Sequence, residues 1–167
     1  GLVYVPLNTA YRLEEMQYFL GDAAPAVLVC DPKDFGRLSK LAFQSGTAHV
    51  YTLGTERQGT LLERAAHRSD VQAPVARDAD DLAVILYTSG TTGRSKGAML
   101  THGNMRSNAL TLHKAWGWRS DDVLIHALPI FHIHGLFVAI HGALLAGAKM
   151  LWLDRFDAAC VVEHLSQ

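Results

Sequence analysis

Apolar and polar positions along this chain alternate between two periods. Leu13, Met16, Phe19 and Leu20 recur at helical spacing before Gly21, so the pattern predicts a short helix over residues 13–20 stopped by that glycine. Residues 26–30 form an unbroken apolar run ended by Asp31 and Pro32, which reads as a buried strand. Phe35, Leu38, Leu41 and Ala42 then give a second helix over residues 35–45, and residues 49–53 the next strand. From residue 54 to residue 81 the text turns polar, with a short helix near 61–67, and reads as a loop-rich excursion across the surface. Order resumes with a strand over 82–88, a short strand over 98–100 and a long helix over 104–116. A strand over 122–128, a very apolar helix over 135–145 and a strand over 149–153 follow. A last helix, capped by Asp157, runs to Leu165. Such alternation predicts an α/β fold, a mostly parallel sheet with helices on both faces.

The segment richest in chemistry lies between two of these strands. Residues 87–97 read Y-T-S-G-T-T-G-R-S-K-G, directly behind the apolar run 82–86. Glycine permits positive φ and lets backbone N–H groups approach an anion closely. Ser89, Thr91 and Thr92 add hydroxyl donors, and Lys96 adds an ammonium suited to phosphate oxygens. A Gly-rich loop after a strand is where α/β proteins bind nucleotides. The G-x-x-x-x-G-K-[ST] phosphate loop is a poor match. Gly93 comes too soon after Gly90, and Gly97 follows Lys96 where a magnesium-binding hydroxyl should stand. The bland alternative is a Ser/Thr/Gly surface loop with no ligand.

Read through to Asn104, this stretch resembles the phosphate-loop signature of the AMP-forming acyl-CoA synthetases, relatives of the luciferases and of peptide-synthetase adenylation domains. Ser95 stands where that family usually has proline. Residues 127–136, A-L-P-I-F-H-I-H-G-L, resemble the family's histidine motif at the acyl pocket, and residues 1–8 resemble a piece that follows an early helix. The R-S-K-G-A variant, the H-x-H-G-L-F form and residues 121–129 look most like the malonyl-CoA synthetase subgroup. The resemblance implies ATP-dependent activation of a carboxylic acid, malonate for that subgroup, as an acyl-adenylate, then transfer to coenzyme A. It implies that Thr88, Ser89, Gly90, Thr91, Thr92, Gly93 and Lys96 hold the ATP phosphates, with Lys96 screening the departing pyrophosphate. It places His132 at the acyl pocket, gating the carboxylate's approach, with His134 as a second reader of a short polar acyl group. Mg²⁺ is expected to travel with ATP, since the motif offers no carboxylate cage.

Other readings of these residues stay open. His132 and His134, two apart, could share one side of an extended segment and bind zinc with His126 and His141, or could be satisfied core histidines. Within the family, the alternatives are a fatty- or aryl-acid CoA ligase or an adenylation domain loading a carrier protein. From another class, the chain could be a non-catalytic ATP-binding remnant. ATP-dependent pyrophosphate exchange separates these readings.

Bulk properties narrow the field further. The 167 residues suffice for one domain with a core, and a net charge of −1 with unclustered Lys and Arg argues against nucleic acid or an anionic membrane as partner. No apolar run reaches membrane-spanning length, and a cytoplasmic location is expected unless a leader, such as a mitochondrial one, precedes the chain. Cys30 and Cys160 lack metal spacing and read as small buried hydrophobes, while Trp116, Trp118 and Trp152 read as packing residues. Residues 1–8 open inside a motif and the last helical run ends at Gln167 without a stop signal. The expectation is therefore an internal piece, residues 1–167, of the N-terminal AMP-binding domain of a longer enzyme, without its C-terminal domain. Such a piece is expected to be inactive alone. The family's aromatic-Gly-x-Thr-Glu motif, ribose aspartate, hinge and C-terminal lysine have no counterpart in it.

Overall fold

A computed structural model describes residues 1–88 and 94–166. Chain contacts divide the molecule into two compact units, Thr9–Pro74 and a second comprising Gly1–Asn8 with Val75–Gln167.

The first unit is built on a parallel strand pair. Helix α1, Leu13–Ala23, starts where the Glu15 carboxylate accepts the Arg12 backbone N–H at 2.9 Å. It does not stop at Gly21 as the pattern predicts. It continues for three further residues and closes at Ala24, which takes the left-handed conformation (φ 42°) and donates its N–H to Leu20. Pro25 then forbids continuation, so the proline and not the glycine sets the boundary. Strands β1, Val27–Cys30, and β2, His49–Thr52, pair in parallel with Val27 opposite His49 and Cys30 opposite Thr52. The crossover between them is helix α2, Phe35–Gln44, preceded by a 3₁₀ turn over Pro32–Asp34 that Asp31 caps. Leu20, Leu28 and Ala42 form the buried centre, with Leu38, Leu41 and Val50 packed around them. Helix α3, Thr60–Ala65, is tied to β2 by reciprocal bonds at 3.0 Å: Thr52 N–H to the Thr60 hydroxyl and Thr60 N–H to the Thr52 hydroxyl.

The second unit carries the motifs. Strands β3, Leu82–Thr88, and β4, Lys96–Thr101, form an antiparallel pair, with Leu82 opposite Thr101 and Thr88 opposite Lys96. The register slips between Leu82 and Val84, a bulge. Tyr4 adds a parallel bridge on the other edge of β3, donating to Ala83 at 2.9 Å and accepting from Ile85 at 3.0 Å. Helix α4, His102–Trp116, begins two residues earlier than the sequence pattern predicts because Thr101 and Asn104 form a capping box. Gly117 closes it in the left-handed region. Strands β5, Val123–His126, and β6, Lys149–Trp152, pair in parallel. Between them the chain turns through a π-helical segment, His134–Ile140, into helix α5, His141–Ala146; helix α6, Ala158–Leu165, follows with Asp157 accepting from the Cys160 N–H.

The class is α/β, and two of the three strand pairs among the described residues are parallel. The antiparallel pair is the exception, and it holds the phosphate-loop segment. Its core unites Ala83, Val84, Leu86 and Phe137, with Leu100, Met105 and Leu136 against them. Cys30 is buried as expected, whereas Cys160 is only half-buried and Trp116 lies exposed.

Two glycines test this account in opposite directions. Gly59 sits at φ 130° and ψ 167°, a region closed to side chains, and a Cβ there would lie 2.4 Å from the Thr52 carbonyl oxygen. Gly21 lies inside α1 with open space around it. Gly59→Ala is expected to destabilise the chain by about 1–3 kcal/mol or more, and Gly21→Ala to stabilise it by about 1 kcal/mol. Thermal unfolding followed by circular dichroism checks both signs.

Candidate active site

The phosphate-loop segment is the connection of the β3–β4 hairpin. Thr88 is the last residue of β3 and Lys96 the first of β4, and the two are direct cross-strand partners. Residues directly opposite on an antiparallel pair share a face, with Cβ atoms about 5 Å apart. The threonine hydroxyl and the lysine stem therefore leave the sheet on one side, at the mouth of the connection. The sequence pattern starts the strand at residue 98; the ladder starts at Lys96, so the lysine rides on a strand and not on the loop. Both side chains are exposed, and Lys96 makes no ion pair among the described residues. Ser89, Gly90, Thr91, Thr92 and Gly93 lie outside the described residues.

Gly97 explains why glycine follows the lysine. It pairs with Tyr87, and a Cβ on it would meet Ile85 Cγ2 at 2.9 Å and the Tyr87 ring at 3.4 Å. The tyrosine ring lies over the bare glycine, an arrangement that fixes register in antiparallel pairs. Tyr87 and Gly97 thus lock the ladder one step behind the Thr88–Lys96 pair.

The histidine motif occupies the turn after β5. The His132 N–H donates to the Pro129 carbonyl at 3.3 Å, and the His132 carbonyl accepts from Leu136 at 3.1 Å. Its ring tilts against Phe131, with centroids 4.3 Å apart. His134 is the first residue of the π-helical segment, and both histidines are exposed. Neither is a buried core residue. Gly135 is buried, and a Cβ there would stand 2.4 Å from the Pro129 carbonyl oxygen, so only glycine permits this turn.

The π-helical turn ties the histidine motif to the hairpin. Phe137, 5% exposed, packs in one cluster with Ala83, Val84 and Leu86 of β3; burying a side chain of this size stabilises by about 2–3 kcal/mol. Asn108 of α4 donates its side-chain amide to the Phe137 carbonyl at 3.3 Å. A π-helical turn leaves carbonyls outside the usual ladder, and Asn108 satisfies one of them. Asn108 escaped the sequence reading because nothing local distinguishes it from any other polar helix residue. Among the described residues no hydrogen bond or ring contact joins His132 or His134 to Thr88 or Lys96.

His126 stands behind the motif at the end of β5. It is 2% exposed and lies edge-on to the Trp152 ring, with centroids 4.6 Å apart. Burial pushes its pKa below the ordinary histidine value. The Leu128 backbone pulls the other way, but neither ring nitrogen reaches a well-formed hydrogen bond. Burial likewise lowers His141, which lies edge-on to Phe137. Among the described residues no three His, Cys, Asp or Glu side chains converge as a metal set would require, nor is any helix long and apolar enough to cross a membrane.

Residues 1–166 match the family described as AMP-binding enzyme. The chain belongs to that family. It is 33% identical to the mitochondrial malonate–CoA ligase ACSF3 of Bos taurus, a match covering 98% of this chain and 27% of the bovine enzyme. The crystal structure of ATP-bound MatB from Rhodopseudomonas palustris superposes with a TM-score of 0.94 at 52% identity, covering 99% of this chain and 33% of that one. A malonyl-CoA ligase in ternary complex with methylmalonyl-CoA and AMP superposes with a TM-score of 0.77 at 30% identity, over 100% of this chain and 33% of that one. The chain therefore spans about a third or less of the length of these relatives, and its resemblance to malonyl-CoA synthetases holds across nearly all of it.

The two histidines whose pKa burial lowers, His126 and His141, give a pH prediction. A neutral imidazole held below its unfolded pKa keeps its full contribution above the unfolded value, about 6.5, and loses it as pH falls through that value toward the folded one. The melting temperature is expected to drop between about pH 7 and pH 5. His126→Phe, which keeps the ring packing on Trp152, should flatten that drop; an unchanged slope in a pH series of melting curves would refute the role of His126.

Proposed function

We propose that this chain is part of the large N-terminal domain of a longer AMP-forming acid–thiol ligase, and that the acid is malonate. The single observation that carries the reading is the Thr88–Lys96 cross-strand pair, which holds the two ends of a hydroxyl- and glycine-rich connection. Likeness to an ATP-bound MatB and to a ligase holding methylmalonyl-CoA and AMP supports the choice of ATP, coenzyme A and a short dicarboxylic acid.

In the first step a carboxylate oxygen of the acid attacks the α-phosphorus of ATP. The bond to the bridging oxygen breaks, and pyrophosphate leaves with the electron pair. Charge accumulates on the leaving group, so a cation held beside it lowers the barrier more than it stabilises the ground state. Lys96 is assigned that task. Thr88, Ser89, Thr91 and Thr92 supply hydroxyl donors, and Gly90 and Gly93 supply backbone N–H groups without side-chain obstruction. In the second step the sulfur of coenzyme A attacks the acyl carbonyl carbon, the thiol proton goes to solvent, and AMP departs. His132 is assigned to gate the carboxylate's approach, and His134 to read the polar end of the acyl group. Mg²⁺ would accompany the ATP phosphates, whose charge it offsets. The cytoplasm is the proposed compartment; the bovine relative is mitochondrial by name, and imaging of the tagged full-length protein decides between the two.

Malonate-dependent exchange of pyrophosphate into ATP by the full-length protein tests the reading. Lys96→Ala should lower the exchange rate by about 100-fold or more, the scale on which single transition-state donors act. An unchanged rate removes Lys96 from the mechanism. ATP binding without any exchange would instead favour a non-catalytic remnant, and exchange supported by aryl or fatty acids but not malonate would reassign the acid. His132→Ala should depress kcat/KM for the acid more than for ATP; equal effects on both would argue against its place at the acyl group.

A further inference from the structure

The opposite end of the β3–β4 hairpin carries a second groove. It is lined by Arg77, Ala79, His102, Gly103, Arg106, Ser107 and Leu110 and has a volume of about 310 Å³. At about 3.4 Å per residue, seven-residue β3 spans roughly 20 Å, so this groove lies well away from the Thr88–Lys96 mouth. His102, Arg106 and Leu110 follow one another at i, i+4 and i+8 along α4, with Gly103 and Ser107 on the adjoining row, so one face of the helix forms its wall.

Four facts set the chemistry of this wall. Among the lining residues there is no carboxylate, while two are arginines. Arg77 is partly neutralised by Asp81 at 3.8 Å, but Arg106 makes no ion pair or hydrogen bond among the described residues. His102 Nε2 is closed off from solvent without a partner. The backbone donors at the start of α4 are already engaged. The His102 N–H goes to Asp81 at 3.0 Å, the Gly103 N–H to Ala79 at 2.7 Å and the Asn104 N–H to the Thr101 hydroxyl at 3.2 Å. Any anion here must be held by side chains, chiefly the Arg106 fork with Ser107 and Arg77.

We propose that this groove binds a small phosphate monoester. Arginine presents paired donors that match phosphate oxygens. A volume at the lower end of ligand-pocket sizes leaves room for an organic substituent beside the phosphate, against the apolar Leu110 and Ala79. Arg106 carries most of the affinity because, unlike Arg77, it has no carboxylate partner among the described residues.

The test is a titration of the full-length protein with phenyl phosphate, and separately with inorganic phosphate, at constant ionic strength. It follows the His102 imidazole by NMR, with the resonance assigned through His102→Gln. Phenyl phosphate should shift the resonance saturably. Arg106→Gln should weaken that binding at least tenfold, and Lys96→Ala should leave it unchanged. Should Arg106→Gln fail to fold, Arg106→Lys, which keeps the charge and loses the fork, should weaken binding several-fold. A response that does not saturate, or survives both Arg106 variants, overturns the site. Loss of the response in Lys96→Ala assigns it to the phosphate loop and also overturns it. Binding of inorganic phosphate alone overturns the monoester assignment. Ligase activity enters none of these readouts, so failure of the proposed function leaves the result intact.

Discussion

The antiparallel pairing of β3 with β4 is the constraint on which the second unit depends. Every other strand pair among the described residues is parallel and joined by a long crossover. Here the two strands run antiparallel, and the hydroxyl- and glycine-rich segment lies between them in sequence. A parallel strand pair would carry the two ends of such a segment to opposite ends of the sheet. The hairpin brings them together, so the side chain after the connection emerges beside the one before it. Tyr87 over Gly97 fixes that register, and a slip of one residue would send Lys96 to the other face.

The histidine motif is tied to β3 through packing. Phe137 enters the cluster of Ala83, Val84 and Leu86, so the π-helical segment is anchored to the strand that leads into the phosphate-loop connection. Gly135 permits the approach of the Pro129 carbonyl, and Asn108 compensates a carbonyl that the wider helical turn releases. Each device is small, yet together they hold one short stretch, residues 129–137, in a conformation that an ordinary α-helix would not reach. Irregular helical geometry held by side chains from other elements is a common way to aim residues near a site.

Much of this was legible in the sequence, for reasons that differ by element. Strands β1 and β3 announced themselves because continuous apolar runs between turn residues have few other homes. The family was legible because the hydroxyl-, glycine- and lysine-bearing stretch 87–97 has a distinctive residue pattern, and residues 1–166 match that family. The boundary of α1 was misread because Gly21 is a helix breaker only by propensity, about 1 kcal/mol, whereas Pro25 is one by sterics. The start of β4 was misread because Lys96 and Gly97 have weak strand propensity; their place is set by Thr88 and Tyr87 across the ladder, which no local window contains. The π-helical turn was read as a plain apolar helix because its cause lies in Pro129 and Asn108. The burial of His126 followed from Trp152, distant in sequence.

The same hairpin also separates two kinds of cationic chemistry. At the Thr88–Lys96 end the cation is an ammonium on a long aliphatic stem at the start of a strand, opposite Thr88. Such a group can follow phosphate oxygens as they move away during a displacement. At the Leu82–Thr101 end the cations are guanidinium groups, Arg106 on a capped helix and Arg77 braced by Asp81. A guanidinium fork rewards a fixed oxyanion geometry and gains less from one that changes. Under the two proposals made above, the residue types would divide by task, one end of β3 serving turnover and the other holding. The backbone donors at the start of α4 are already occupied, so an anion at that end would depend on side chains.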